Sequence, residues 1–164
     1  MKARFGVVAA AVAIAGVLAI PGGAGGATAG GCAVKGTASF SPGLKTAKAA
    51  VSYSFSGNLT SCKASSDSTV KNGRVTASGR GSKVGCTGGN TSGSGSVTWN
   101  NGKTSTFSFT TTGAANAVKV TGKFTSGEFS GVALNAVLAF NASPTACNSA
   151  AGVTSATFNG AATI

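Results

Sequence analysis

The chain has 164 residues, and 13 Lys and Arg against two Asp and Glu give it a formal net charge of +11. It contains no histidine, which excludes Ser-His-Asp and Cys-His catalysis and any metal site with histidine ligands. Two acidic side chains allow one pair for acid–base chemistry, and the length predicts one domain.

The N-terminal segment has the features of an export signal. A basic stretch over residues 1–4 precedes an uncharged apolar run over residues 5–20, and Ala-Thr-Ala at 27–29 fits the small-x-small cleavage pattern. The sequence therefore predicts a secretory signal peptide over residues 1–29. Its removal leaves a single domain over residues 30–164 with a net charge of +9.

Three alternatives to this interpretation remain open. Cleavage after Ala24 is one, and a lipoprotein signal ending at Cys32 is another, although it lacks the usual Leu three places before the cysteine. A membrane anchor is the third, but the apolar run is shorter than the roughly 20 residues that a span needs. We expect a secreted, extracellular protein with no transmembrane segment.

After residue 30, apolar residues alternate with polar ones, which is typical of antiparallel strands with one face in the core. The residues predicted to face inward in the first three strands are Val34, Ala38, Phe40, Ala47, Ala49, Val51, Tyr53, Phe55, Leu59, Val75 and Ala77.

The length of the turn between the fourth and fifth predicted strands follows from the register in which they pair. A three-residue turn over residues 100–102 pairs Val97 with Ser105 and keeps Trp99 and Phe107 on one face. A two-residue turn would move Phe107 to the opposite face, so burial favours the longer turn.

The C-terminal strands complete the pattern. Their predicted inward residues are Val118, Val120, Gly122, Phe124, Val132, Leu134, Ala136, Leu138, Phe140, Ala156, Phe158, Ala162 and Ile164. Because Ala133, Val137 and Ala139 are also apolar, we expect the seventh strand to be covered on both faces. About eight strands with short turns predict an all-β fold, either an antiparallel sandwich or a closed barrel.

Four cysteines in an exported chain predict two disulfides. If the chain runs up and down, Cys32 and Cys62 lie at one end of the strands, and Cys86 and Cys147 lie at the other. We therefore predict the pairs Cys32–Cys62 and Cys86–Cys147. No cofactor and no metal site are expected.

Asp67 and Glu128 are the two acidic side chains, and both fall on predicted turns at the same end. Paired carboxylates across a groove would suit a glycosidase. Lone acids on turns are more often solvated, so an enzyme using these two residues is an alternative and not the main hypothesis.

The excess positive charge arises from missing acids and is concentrated before residue 84. An exported cationic surface attracts anionic polymers of the cell envelope. The candidate binding residues are Lys45, Lys48, Lys71, Arg74 and Arg80. Specific nucleic-acid recognition is not expected, because the aromatic residues fall on inward faces. The competing interpretation is that the charge only keeps the protein soluble.

Two further patterns favour structural roles. Trp99 and Tyr53 are the residues best suited to stack on sugars, but both lie on apolar faces and are predicted core residues. A row of alternating hydroxyls on the outer face of the fifth strand could order water or ice, although Thr is also common on exposed strands. This row is Thr104, Thr106, Ser108, Thr110 and Thr112.

The mature start Cys-Ala-Val-Lys-Gly-Thr-Ala, the Trp-Asn-Asn-Gly hairpin at 99–102 and the closing Gly-Val-Thr-Ser-Ala-Thr-Phe at 152–158 resemble small secreted β-rich proteins of actinobacteria with no assigned activity. The resemblance implies fold and export and carries no functional residues. Apoproteins of the neocarzinostatin type share the size and the two disulfides, but their short cysteine loops do not match the wide spacings here.

These observations predict a secreted, non-enzymatic protein that binds anionic polymers at the cell envelope. The first alternative is a carrier that holds a small apolar ligand inside a barrel. The second is the enzyme that uses Asp67 and Glu128.

The cleavage site is directly testable. We expect the exported protein to begin at Gly30, as read by N-terminal sequencing and intact mass. A start at Gly25 would support the earlier cut, and a lipid on an N-terminal Cys32 would establish the lipoprotein alternative.

Overall fold

A computed structural model describes residues 30–114 and 117–164, in which the chain forms eight strands and one short 3-10 helix. The strands are β1 (Gly30–Leu44), β2 (Ala49–Ala64), β3 (Gly73–Val84), β4 (Thr91–Trp99), β5 (Thr104–Ala114), β6 (Ala117–Ser126), β7 (Ala133–Asn141) and β8 (Val153–Thr163), and the helix covers Pro144–Asn148. The predicted signal peptide over residues 1–29 lies outside the described residues.

The eight strands form a closed antiparallel barrel. Each strand pairs with the next along the chain, and β8 pairs with β1 to complete the ring. This architecture decides between the sandwich and the barrel that the sequence left open. Within the described residues the long strands pair on both sides, so no long sheet edge is left for another chain to pair with.

The hairpin between β4 and β5 has the predicted three-residue turn. Val97 pairs with Ser105, and the Trp99 N–H donates to the Lys103 carbonyl oxygen at 2.9 Å. Gly102 has a φ of 80°, a conformation that glycine adopts without the steric penalty of a Cβ. Trp99 is consequently buried, with 2% of its surface exposed.

The inward faces largely follow the prediction, with two exceptions. Val137 is 60% exposed, so β7 is not covered on both faces as expected. Ala47 and Ala49 are exposed because β2 begins only at Ala49, beside a register shift in its pairing with β3. Both differences depend on where the strand lies in the folded barrel, and the alternation of apolar and polar residues does not predict that.

Glycines on the inner face make room for aromatic rings. Phe109 pairs with Gly93 on one side and Gly122 on the other, and Phe158 pairs with Gly36. A Cβ built on Gly93 would lie 2.7 Å from Cζ of Phe109, closer than packed carbon atoms approach. A small barrel fills its interior by such alternation of large and small residues.

One end of the barrel, which we call the plugged end, holds the β2–β3, β4–β5 and β6–β7 connections. Val70, Phe129 and Ile164 are buried there, with exposures of 0%, 2% and 1%. The Phe129 ring packs edge-on against Trp99 with a centroid separation of 5.0 Å. Apolar side chains therefore close this end.

Both predicted disulfides are present. Cys32–Cys62 joins the neighbouring strands β1 and β2 near the plugged end. Cys86–Cys147 joins the β3–β4 connection to the β7–β8 connection. These connections lie on opposite sides of an eight-strand ring, so this disulfide crosses the other end of the barrel, which we call the cavity end.

The glycine packing can be tested by adding a single methyl group. We expect Gly93→Ala to lower the free energy of unfolding by about 1–3 kcal/mol, because the core has no space for the added Cβ. Denaturant unfolding of the oxidised protein measures the loss. The control is Ser94→Ala, which changes an exposed neighbour and should stay within about 0.5 kcal/mol of the wild type. Equal stability of the two variants would contradict the packing argument.

Candidate functional site

The cavity end contains an apolar cavity of about 110 Å³. Its wall includes Phe40, Phe55, Val118 and Phe140, together with the Cys86–Cys147 disulfide. The barrel interior is therefore packed at one end and partly empty at the other.

Small side chains account for the empty volume. Ala38 and Ala156 are cross-strand partners on β1 and β8, and both line the cavity where larger residues would fill it. Phe55 separates this cavity from a smaller void of about 50 Å³ deeper in the core, since it lines both. It is held by edge-on contacts with Phe109 and Phe158 at centroid separations of 5.9 and 5.7 Å.

Three hydroxyls in the cavity wall form a hydrogen-bonded chain. Tyr53 Oη lies 2.6 Å from Thr91 Oγ1, which lies 2.7 Å from Thr111 Oγ1. Burial raises the pKa of Tyr53 above its ordinary value of 10.0, although the bond to Thr91 opposes the shift, so the phenol is neutral at physiological pH. An apolar pocket with a few placed polar groups is the usual composition of a small-molecule site.

Three exposed lysines lie next to residues of the cavity wall. Lys45 and Lys48 belong to the β1–β2 connection, which packs on Gly85 of the cavity wall, and a Cβ built on Gly85 would lie 3.3 Å from Cγ of Lys48. Lys83 directly precedes Val84 of the wall. We call these three exposed lysines the rim lysines.

The structure separates the five predicted polymer-binding residues into different regions. Lys45 and Lys48 lie at the cavity end, and Arg80 lies on the outer face of β3, opposite Ser52 and Ser92. Arg74 is six residues away along the same strand, about 20 Å, and Lys71 lies in the loop at the plugged end. They do not form one cluster, and binding of anionic polymers through them stays a prediction.

Asp67 and Glu128 come together at the plugged end, as the up-and-down topology predicted. Lys103 joins them, with its Nζ 3.0 Å from Glu128 Oε2 and 3.9 Å from Asp67 Oδ2. Neither carboxylate lines the apolar cavity. The arrangement is an ion-paired cluster that ties three connections of the barrel together.

Asp67 also organises its own loop. Its Oδ1 accepts hydrogen bonds from the Thr69 hydroxyl at 2.6 Å and from the Thr69 N–H at 2.8 Å. These two bonds, followed by weaker contributions from Glu128 and Lys103, hold the pKa of the Asp67 carboxyl below its ordinary 3.8. Asn100 fixes the loop from the other side by accepting hydrogen bonds from the N–H groups of Lys71 and Asn72.

The two aromatic candidates have the predicted core positions. Trp99 is buried and donates its indole N–H to Ser105 Oγ at 2.9 Å. Tyr53 is partly buried in the cavity wall.

The hydroxyl row on β5 is part of a wider array on the outer face of the barrel. Four of its members pair with hydroxyl residues of β4, namely Thr104, Thr106, Ser108 and Thr110, whereas Thr112 pairs with Lys119 of β6. One such cross-strand row is Thr37, Ser56, Thr76, Ser96 and Thr106. Barrel strands twist, so the array is curved and not flat. Ordering of water or ice by this surface stays a prediction.

Comparison of the chain with family models, curated proteins and solved structures finds no match. The resemblance to secreted actinobacterial proteins therefore stays a prediction. Within residues 30–114 and 117–164, no helix is long and apolar enough to cross a bilayer. The same ranges contain no group of three or more side chains of the types that hold metal ions.

Sequence reasoning did not select Thr91, Thr111 or Lys83 as site residues. The sequence does contain a signal for the two threonines. Inward residues alternate along a strand, and Thr91 lies two residues before Gly93, while Thr111 lies two residues after Phe109. Lys83 has no such signal, since its role depends on the packing of separate connections at the cavity end.

The causes of the Asp67 pKa shift can be separated by mutation. We expect Thr69→Ala to raise the Asp67 pKa towards 3.8 more than Lys103→Met does, because the Thr69 hydroxyl bond that this variant removes is the largest cause of the shift. Carboxyl-carbon NMR titration measures both values. Because the folded-state pKa is the lower one, the stabilising contribution of Asp67 is present above the unfolded-state pKa and disappears as the pH falls through the folded value. The reverse order of the two variants would contradict this assignment.

Proposed function

We propose that this protein is an exported, non-enzymatic binding protein that carries a small apolar group in the cavity at the cavity end. The single observation that supports the proposal is the apolar cavity beneath the Cys86–Cys147 disulfide. This proposed function is the first alternative that the sequence left open, a carrier that holds a small apolar ligand inside a barrel.

The physics of apolar cavities supports this choice over a packing defect. The wall is mostly apolar, and the side chains around an apolar void lose dispersion contacts that a ligand would restore. An apolar cavity of about 150 Å³ can bind benzene. At about 110 Å³, this cavity suits a smaller group such as a short alkyl chain.

The unequal ends of the barrel favour the same function. The plugged end is closed by Val70, Phe129 and Ile164. At the cavity end, the wall comprises small residues, aromatic side chains and a disulfide that joins two separate connections. A ligand would therefore enter and leave at one end only.

The ion cluster at the plugged end favours a non-catalytic protein. Lys103 forms ion pairs with both Asp67 and Glu128, and both acids accept hydrogen bonds from groups of the barrel connections. The absence of histidine from the sequence removes the commonest general base.

A series of 1-alkanols from ethanol to hexanol tests the proposal. We expect the binding constant to rise roughly fourfold per CH₂ group, from about 0.8 kcal/mol of buried apolar surface, until the tail fills the cavity. NMR chemical-shift titration measures the binding and reports whether residues of the cavity wall respond.

A matched pair of variants on β8 serves as the control. Ala156→Leu fills the cavity and should abolish binding, whereas Ala161→Leu adds the same atoms to the exposed face and should leave binding unchanged. The proposal fails if no alkanol saturates, or if Ala156→Leu binds as the wild type does.

A further inference from the structure

We propose that the ligand of the cavity is an amphipathic anion, a short aliphatic carboxylate whose charged group lies among the rim lysines Lys45, Lys48 and Lys83. This inference rests on the proposed function, because it assigns a chemical class to the ligand of the same cavity.

The placement of the rim lysines is the first argument. The Lys45 carbonyl oxygen accepts a hydrogen bond from the Cys86 N–H at 2.8 Å, which fixes the β1–β2 connection against the disulfide that lines the cavity. The Lys83 carbonyl packs on Gly89 of the wall, where a Cβ would lie 2.5 Å from its oxygen. The backbones of Lys45 and Lys83 thus contact the wall, while the side chains of all three rim lysines are exposed.

The distribution of charge is the second argument. Asp67 and Glu128 are the only acidic side chains in the sequence, and both lie at the plugged end, paired with Lys103. The rim lysines therefore have no side-chain carboxylate near them. Three positive charges beside an apolar cavity attract a ligand with a negative head and an apolar tail.

The hydroxyl chain is the third argument. Tyr53, Thr91 and Thr111 supply three O–H donors, and the two hydrogen bonds between them use two of these. One O–H remains to donate, and it lies in the cavity wall. A carboxylate oxygen accepts such a bond well, because hydrogen bonds to charged acceptors are stronger than neutral ones.

The cavity volume limits the tail. At about 110 Å³ the cavity holds a short alkyl chain and leaves no room for a solvated carboxylate. The head group therefore lies at the edge of the apolar space, between the remaining hydroxyl of the cavity wall and the rim lysines. Butyrate is the probe that fits these limits, and 1-butanol is its uncharged counterpart with the same number of carbon atoms and a tail one CH₂ longer.

The experiment compares these two probes on the oxidised protein by NMR titration at pH 7. We expect butyrate to bind about tenfold more tightly than 1-butanol in low salt, with the difference disappearing near 1 M salt because exposed charges are screened. The variant Lys45→Gln/Lys48→Gln/Lys83→Gln should lower butyrate binding to the level of 1-butanol and leave 1-butanol binding unchanged.

The matched control removes three lysines that are not at the rim, Lys63→Gln/Lys71→Gln/Lys123→Gln, and changes the net charge by the same amount. It should retain the preference for butyrate. Equal loss in both triple variants would overturn the rim assignment in favour of a general charge effect.

The two proposals fail separately. Equal binding of butyrate and 1-butanol by the wild type would overturn the anionic ligand and leave the apolar carrier standing. Binding of neither probe would overturn both.

Discussion

The pairing of β8 with β1 is the constraint on which the rest of the structure depends. Closure gives backbone hydrogen bonds to both sides of every strand and fixes the width of the interior. Side chains from all eight strands then share one limited volume. The glycine partners of Phe109 and Phe158 follow from that limit, because an extra Cβ at those positions would overlap a ring.

Among the described residues, closure also confines contact between the interior and solvent to the two ends of the barrel. At the plugged end, buried residues and the Lys103 ion pairs hold the connections together. At the cavity end, a disulfide joins opposite sides of the ring and an apolar space remains below it. The difference between the ends therefore locates the candidate site, and the charge of the nearby lysines suggests the chemistry of its ligand.

Much of the fold was predictable because its signals are local. The alternation around Val51 and Val97 placed side chains inward, and the register argument for Gly102 fixed the hairpin. The disulfide pairs followed from strand parity, which holds whenever successive strands run up and down. The exposure of Val137 was not predictable, because apolar residues on both faces of a strand do not reveal whether anything covers the outer one.

The sequence by itself determined the all-β class, most of the inward faces and the absence of histidine chemistry, since each depends on residue type, count or spacing along the chain. It predicted the disulfide pairing only on the condition that successive strands run up and down, which the closed barrel satisfies. Only the tertiary structure decided between a sandwich and a barrel, because closure depends on β1 meeting β8, strands more than 100 residues apart. The tertiary structure likewise decided that the barrel contains a cavity. Its wall combines residues from most of the strands, and empty volume arises only when distant side chains are packed together.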